Sequence, residues 1–125
     1  MLIRRGVSTL GEEFIDIEAR SASGFVEARL QDGVLEVSYM QGPDVIFLLA
    51  AINRELGPET ISVIRGYATD RLSERIIKAD YLSRFAKLLS ARLGENWSGE
   101  IVKKGAKQWL VFTKARTSLT AEPVP

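Results

Sequence analysis

The polar side chains Arg65, Tyr67, Asp70, Arg71, Glu74 and Arg75 fall within one short stretch of the chain. The local pattern places that stretch at the end of a strand and the start of a helix. A helix start presents backbone N–H groups that attract anions. Guanidinium groups grip phosphate through paired hydrogen bonds. Tyr67 adds a ring that can stack or hydrogen-bond, and Glu74 a carboxylate able to serve as a base. The same residues also read as an exposed helix start, with Asp70–Glu74 and Arg71–Arg75 at i,i+4 spacing and mixed signs that favour solubility. That second reading is the commoner one for such clusters.

A second cluster gathers Lys103, Lys104, Lys107 and Lys114 around the last hairpin, with Trp97 and Trp109 nearby. Lysines on phosphates and an indole stacked on a base would hold a nucleic-acid strand. The competing reading is an exposed hairpin whose lysines block edge-to-edge sheet pairing, with the tryptophans in the core. Glu12, Glu13, Asp16 and Glu18 are oxygen ligands suited to a hard cation. Alternation along a strand explains Asp16 and Glu18 better, so no metal site is assigned.

Other chemistry is excluded by composition. The chain has no histidine and no cysteine, which removes Ser-His-Asp and Cys-His machinery, thiol nucleophiles and disulfides. A zinc site would need carboxylates alone. Neither a phosphate-binding loop of the G-x-x-x-x-G-K-[ST] kind nor a G-x-G-x-x-G turn is present. No cofactor is expected.

The elements around these clusters follow from periodicity. Phe14–Arg20, Phe25–Leu30 and Val34–Met40 each alternate apolar with polar residues, the period of a half-buried strand. Asp32-Gly33 between the last two marks a tight hairpin of type I′. Gly42-Pro43-Asp44 opens a helix whose first residues, Val45–Ile52, are all apolar, so burial on nearly every side is expected there. Asn53, Arg54 and Glu55 should bring it to the surface before Gly57-Pro58 ends it. Ile61–Tyr67 reads as a fourth strand, with Ile61, Val63 and Arg65 on one face and Gly66 at a bulge or close approach.

From Thr69 or Asp70 to Leu93, one straight helix would set Arg71, Arg75 and Lys78 on the same stripe as Leu82, Phe85 and Leu89. A break near Ala79-Asp80 is therefore expected, with Asp80 capping a second helix, Tyr81–Leu93, that Gly94 ends. A hairpin of Glu100–Lys103 and Gln108–Thr113 closes the fold. The expected class is α+β: an antiparallel sheet with an N-terminal three-stranded meander, a middle strand and a C-terminal hairpin, and helices packed on one face.

The 125 residues, 46% hydrophobic and 26% charged, fit a single domain over residues 1–125. Its ordered core is expected at about 12–115, with a flexible tail from 116 to 125. Net charge is +1, yet residues 1–62 carry −5 and residues 63–125 carry +6. Such asymmetry marks either an anionic partner for the second half or two faces that neutralise each other. The longest apolar run, Val45–Ile52, is of core length and too short to span a bilayer. No signal peptide is read at the N-terminus. The expected location is cytoplasmic, or outside the cell by a specialised secretion route.

Four segments share a spacing: Val34-Leu35-Glu36-Val37, Leu48-Leu49-Ala50-Ala51-Ile52, Val63-Ile64-Arg65-Gly66-Tyr67 and Trp97-Ser98-Gly99. Over about residues 33–114 this resembles a C-terminal domain of bacterial polymorphic toxin and Rhs-type proteins. The chain departs from that pattern after Tyr67, where Arg71-Leu72-Ser73-Glu74-Arg75 stands in place of an Asn-Leu to Phe-Asn run. The resemblance implies a bacterial origin and an effector or inter-microbial conflict setting, and it carries over no catalytic residue. Two functions are in play. One is a non-enzymatic protein-interaction module: an adaptor, an immunity-type partner or a regulatory subunit. The alternative is a histidine-free effector acting on nucleic acid, in which Arg65, Tyr67, Arg71, Arg75, Lys103, Lys104 and Lys107 would bind the anion.

Overall fold

Ile17 and Ala19, Val26, Ala28 and Leu30, and Leu35 and Val37 alternate with charged residues along three successive segments, and all seven are buried. In the computed structural model, which describes residues 1–57, 59–67, 79–105 and 107–115, these segments are neighbouring antiparallel strands. They are β2 (Glu13–Ser21), β3 (Gly24–Gln31) and β4 (Val34–Gln41). The β3–β4 hairpin turns at Asp32 and Gly33, with φ of 52° and 78°, as a type I′ turn requires. A further strand, β1 (Leu2–Val7), pairs antiparallel with β2. The meander therefore has four strands, and the sheet starts at residue 2 rather than near 12. Leu2-Ile3-Arg4-Arg5-Gly6-Val7 lacks clean alternation, so its strand character shows only once it is paired.

Helix α1 (Val45–Leu56) follows β4 and leads to β5 (Val63–Tyr67), which lies parallel to β4. Parallel neighbours need a crossover, and α1 supplies it. The Gly33 carbonyl fixes the pairing, accepting from the backbone N–H groups of Ser62 and Val63 at 2.8 and 3.2 Å. Helix α2 (Ala79–Leu93), β6 (Trp97–Lys104) and β7 (Lys107–Lys114) complete the described chain. The strand β7 inserts between β5 and β6, so the order is β1-β2-β3-β4-β5-β7-β6. The wholly antiparallel sheet expected from periodicity is thus corrected to a mixed one. Alternation fixes which face a residue takes, but not the direction in which its strand runs.

Both helices pack on one face of this sheet, the face of Ile17, Val26, Leu35, Ile64, Leu110 and Phe112. Leu48, Leu49 and Ile52 of α1 are buried there, as its apolar run requires. The run is not buried all round, however: Phe47 is 52% exposed, with the Arg92 guanidinium 3.9 Å from its ring centroid. Arg54 and Glu55 do return the helix to the surface, but Asn53 is buried. Pro43 lies before the N-cap residue Asp44 instead of inside the first turn. The Asp44 carboxylate accepts a hydrogen bond from the Ser21 hydroxyl at 2.8 Å, tying the helix start to the β2–β3 turn. Gly42 permits that approach: at φ 92°, an added Cβ would stand 2.2 Å from the Ser23 carbonyl oxygen.

In α2, Leu82, Ala86 and Leu89 form the buried stripe, and Phe85 stacks on Phe112 with centroids 4.7 Å apart. Gly94, at φ 70°, ends the helix, and its N–H donates to the Ser90 carbonyl. Asp80 lies within α2 and not at a cap. The expected basic helix with Arg71, Arg75 and Lys78 falls at 68–78, outside the described residues. Ile61 is buried just before β5 and does not share a face with Val63 and Arg65 inside it. No helix among the described residues is long and apolar enough to cross a membrane.

Leu49 is 1% exposed at the centre of the α1–sheet contact. Leu49→Ala is expected to cost about 2–5 kcal/mol in urea denaturation. A loss under about 1 kcal/mol would mean that α1 is not held against the sheet.

Candidate interaction face

With both helices on one side, the other face of the sheet is open among the described residues. Cross-strand partners on that face carry a single row from edge to edge: Arg4, Asp16, Arg29, Glu36, Arg65, Val111 and Glu100. Charge alternates along it, broken once by Val111. Opposite charges facing each other across strands stabilise a sheet, and like charges weaken it. Asp16 and Arg29 form a bidentate pair, Nε to Oδ1 at 2.7 Å and Nη2 to Oδ2 at 3.0 Å. Arg65 Nη2 donates to Glu36 Oε1 at 3.1 Å.

Aromatic rings back the guanidiniums. Arg29 lies 3.8 Å from the Phe14 ring centroid, Arg65 lies 4.7 Å from that of Trp109, and Arg20 lies 4.7 Å from that of Phe25. Such stacking adds attraction while leaving the hydrogen-bonding edge of arginine free. The Nε of Arg65 is buried and finds no acceptor, so Glu36 and the indole carry the contacts of that side chain.

A register shift between Glu27 and Ala28, where β3 meets β4, makes a β-bulge. Bulges strengthen local twist and re-aim side chains. Here the Ser38 hydroxyl reaches both the Glu27 carbonyl, at 3.1 Å, and Glu27 Oε1, at 3.0 Å. Beside the bulge a shallow concavity of about 440 Å³ opens over β1–β4. Its charged lining is Arg4, Asp16, Glu18, Glu27, Arg29 and Glu36. Glu18 and Glu27 face each other directly across β2 and β3. With Asp16 paired to Arg29 and Glu36 to Arg65, the concavity keeps an acidic excess.

The residues singled out in the sequence are only partly within the described chain. Arg65 is on the open face beside Trp109. Tyr67 is the backbone partner of Trp109, and Lys104 that of Lys107, at the end of the β6–β7 hairpin. Lys103 is exposed three residues beyond Glu100 on β6, which puts it on the opposite face from Arg65. Arg71 and Arg75, with Asp70 and Glu74, lie outside the described residues. The tryptophans divide: Trp97 is buried in the core and Trp109 is half-buried on the open face. Glu12 accepts from the Gln31 side chain. Among the described residues, no three acidic side chains gather as metal ligands would.

The concavity was not singled out from sequence, although its residues were legible. Asp16, Glu18, Glu27, Arg29 and Glu36 are the polar halves of the alternating strands. Only the register shows that they share one surface. Comparison with protein families, with curated proteins and with solved structures finds no match.

The hydrogen bond from Arg29 holds the Asp16 carboxyl below the ordinary carboxylate range, and the positive charges of Arg29 and Arg4 help against partial desolvation. A carboxyl lowered in the folded state stabilises fully above its unfolded pKa, and that stabilisation is lost as pH falls through the folded value. Asp16→Asn should therefore lower the urea midpoint at neutral pH, with the gap from the parent closing as the pH drops below the carboxylate range. A gap independent of pH would show that the charge of Asp16 contributes nothing.

Proposed function

We propose that this chain is a non-enzymatic protein-interaction module, in the bacterial effector or toxin setting that its resemblance implies, and that the open sheet face receives the partner. The observation that carries the reading is the concavity beside the β3–β4 bulge. It is a recess on the sheet, lined by four carboxylates and two guanidiniums. Fixed charges of both signs on a sheet suit recognition of a protein surface, because they select register and reject mismatched partners. The acidic excess at Glu18 and Glu27 suits a partner that presents a basic side chain.

The alternative is action on nucleic acid through the basic second half. In its favour, Arg65 stacks with Trp109, the kind of cation and ring pair that single strands use. Against it, Arg65 is already paired with Glu36, and the recess on the same face would repel phosphate. The protein reading is therefore preferred.

A cross-linking capture from cells that express the chain tests the two together. A partner should be retained by the parent protein, lost with Glu18→Arg/Glu27→Arg, and rebound when both components are purified. Fluorescence anisotropy with generic RNA and DNA at low and moderate salt covers the alternative, because phosphate contacts give steep salt dependence. Salt-sensitive nucleic-acid binding, together with partner capture unaffected by the double substitution, would overturn the protein reading.

A further inference from the structure

The strands β1 and β6 are the two ends of the sheet. Each leaves one line of backbone N–H and C=O groups without a strand partner among the described residues. Such edges are templates for another strand. The charge row described above ends in opposite signs at the two edges, Arg4 on β1 and Glu100 on β6. Both side chains are exposed, and neither makes an ion pair among the described residues.

The two edges also match in direction. Five antiparallel pairings and one parallel pairing separate β1 from β6, so they run oppositely within the sheet. A second copy placed edge to edge, with its sheet continuing the first, presents β6 antiparallel to β1. Setting Arg4 opposite Glu100 then sets Ile3 opposite Ile101 and Leu2 opposite Val102. The open faces stay on one side, because Arg4 and Glu100 both belong to that face. A slip of one residue would turn one strand over, and a slip of two would separate the charges. Symmetric pairing of β1 with itself is less favourable, since the centred registers put Arg4 on Arg4 or Arg5 on Arg5. At the β1 edge and the turn after it, Met1, Leu2, Val7 and Leu10 are exposed large apolar side chains, which an added strand would help to cover.

We propose that copies of this chain associate head to tail, with β1 of one against β6 of the next, antiparallel, and Arg4 across from Glu100. The backbone contact lies at the sheet edges, and although Arg4 also lines the recess, self-association is measured on the purified chain alone, so it can fail or hold independently of the partner reading above. It joins two different surfaces and therefore propagates instead of closing at a dimer. The alternating row of charge then continues from copy to copy.

Sedimentation velocity over a range of concentrations tests it, with thermal melts confirming that each variant is folded. The parent chain should gain mass with concentration and pass beyond the dimer. Arg4→Glu alone, and Glu100→Arg alone, place like charges across the contact and should weaken association by about tenfold or more. When the two variants are mixed in equal amounts, every contact between unlike chains again joins opposite charges, and association should return. A parent chain that stays monomeric throughout, or stops at a dimer, would overturn the proposal. So would a mixture no more associated than either variant alone.

Discussion

Among the described residues two helices cover one face of a seven-stranded sheet and leave the other open. An open face has to be compatible with water. That constraint shapes the rest of the molecule. The covered face is a continuous apolar layer running from Ile17 on β2 to Phe112 on β7, closed by α1 and α2. The open face cannot use the same chemistry without becoming an aggregation surface. It uses a row of alternating charge, backed by aromatic rings that shelter the arginine planes.

The same alternation links structure to recognition. Paired charges favour the observed register, and in the proposed reading the charges left over would define what can dock. Asp16 is matched by Arg29 and Glu36 by Arg65, whereas Glu18 and Glu27 face each other. Direct like-charge neighbours weaken a sheet. A basic group from a partner would relieve the repulsion, which is why the recess and the proposed partner are complementary. The bulge at Ser38 belongs to this arrangement, because its hydroxyl fixes one of the two carboxylates.

Period-two alternation made β2, β3 and β4 legible, and the Asp32-Gly33 turn between the last two. The buried side of α1 was legible at Leu48, Leu49 and Ile52 because eight apolar residues in a row have few other uses. Phe47 escaped that logic: a helix on a sheet has an outer side even when its sequence is apolar, and Arg92 stacks on the ring there. The strand β1 was missed because Arg4, Arg5 and Gly6 interrupt alternation. The parallel step from β4 to β5 could not be read either, since direction leaves no periodic trace. The candidate recess lay beyond the sequence for the same reason. Its residues come from four strands, and their meeting depends on register.

A double-mutant cycle on Asp16 and Arg29 in urea denaturation is the most direct measurement. If alternating charge holds the open face, Asp16→Arg and Arg29→Asp should each lower the midpoint. The double reversal restores that pair but places like charges beside Arg4 and Glu36, so it should cost about as much as one single reversal and clearly less than the two losses together. Single substitutions without effect, or a double reversal as damaging as the two losses together, would contradict the account and leave the stability of the sheet to its covered face alone.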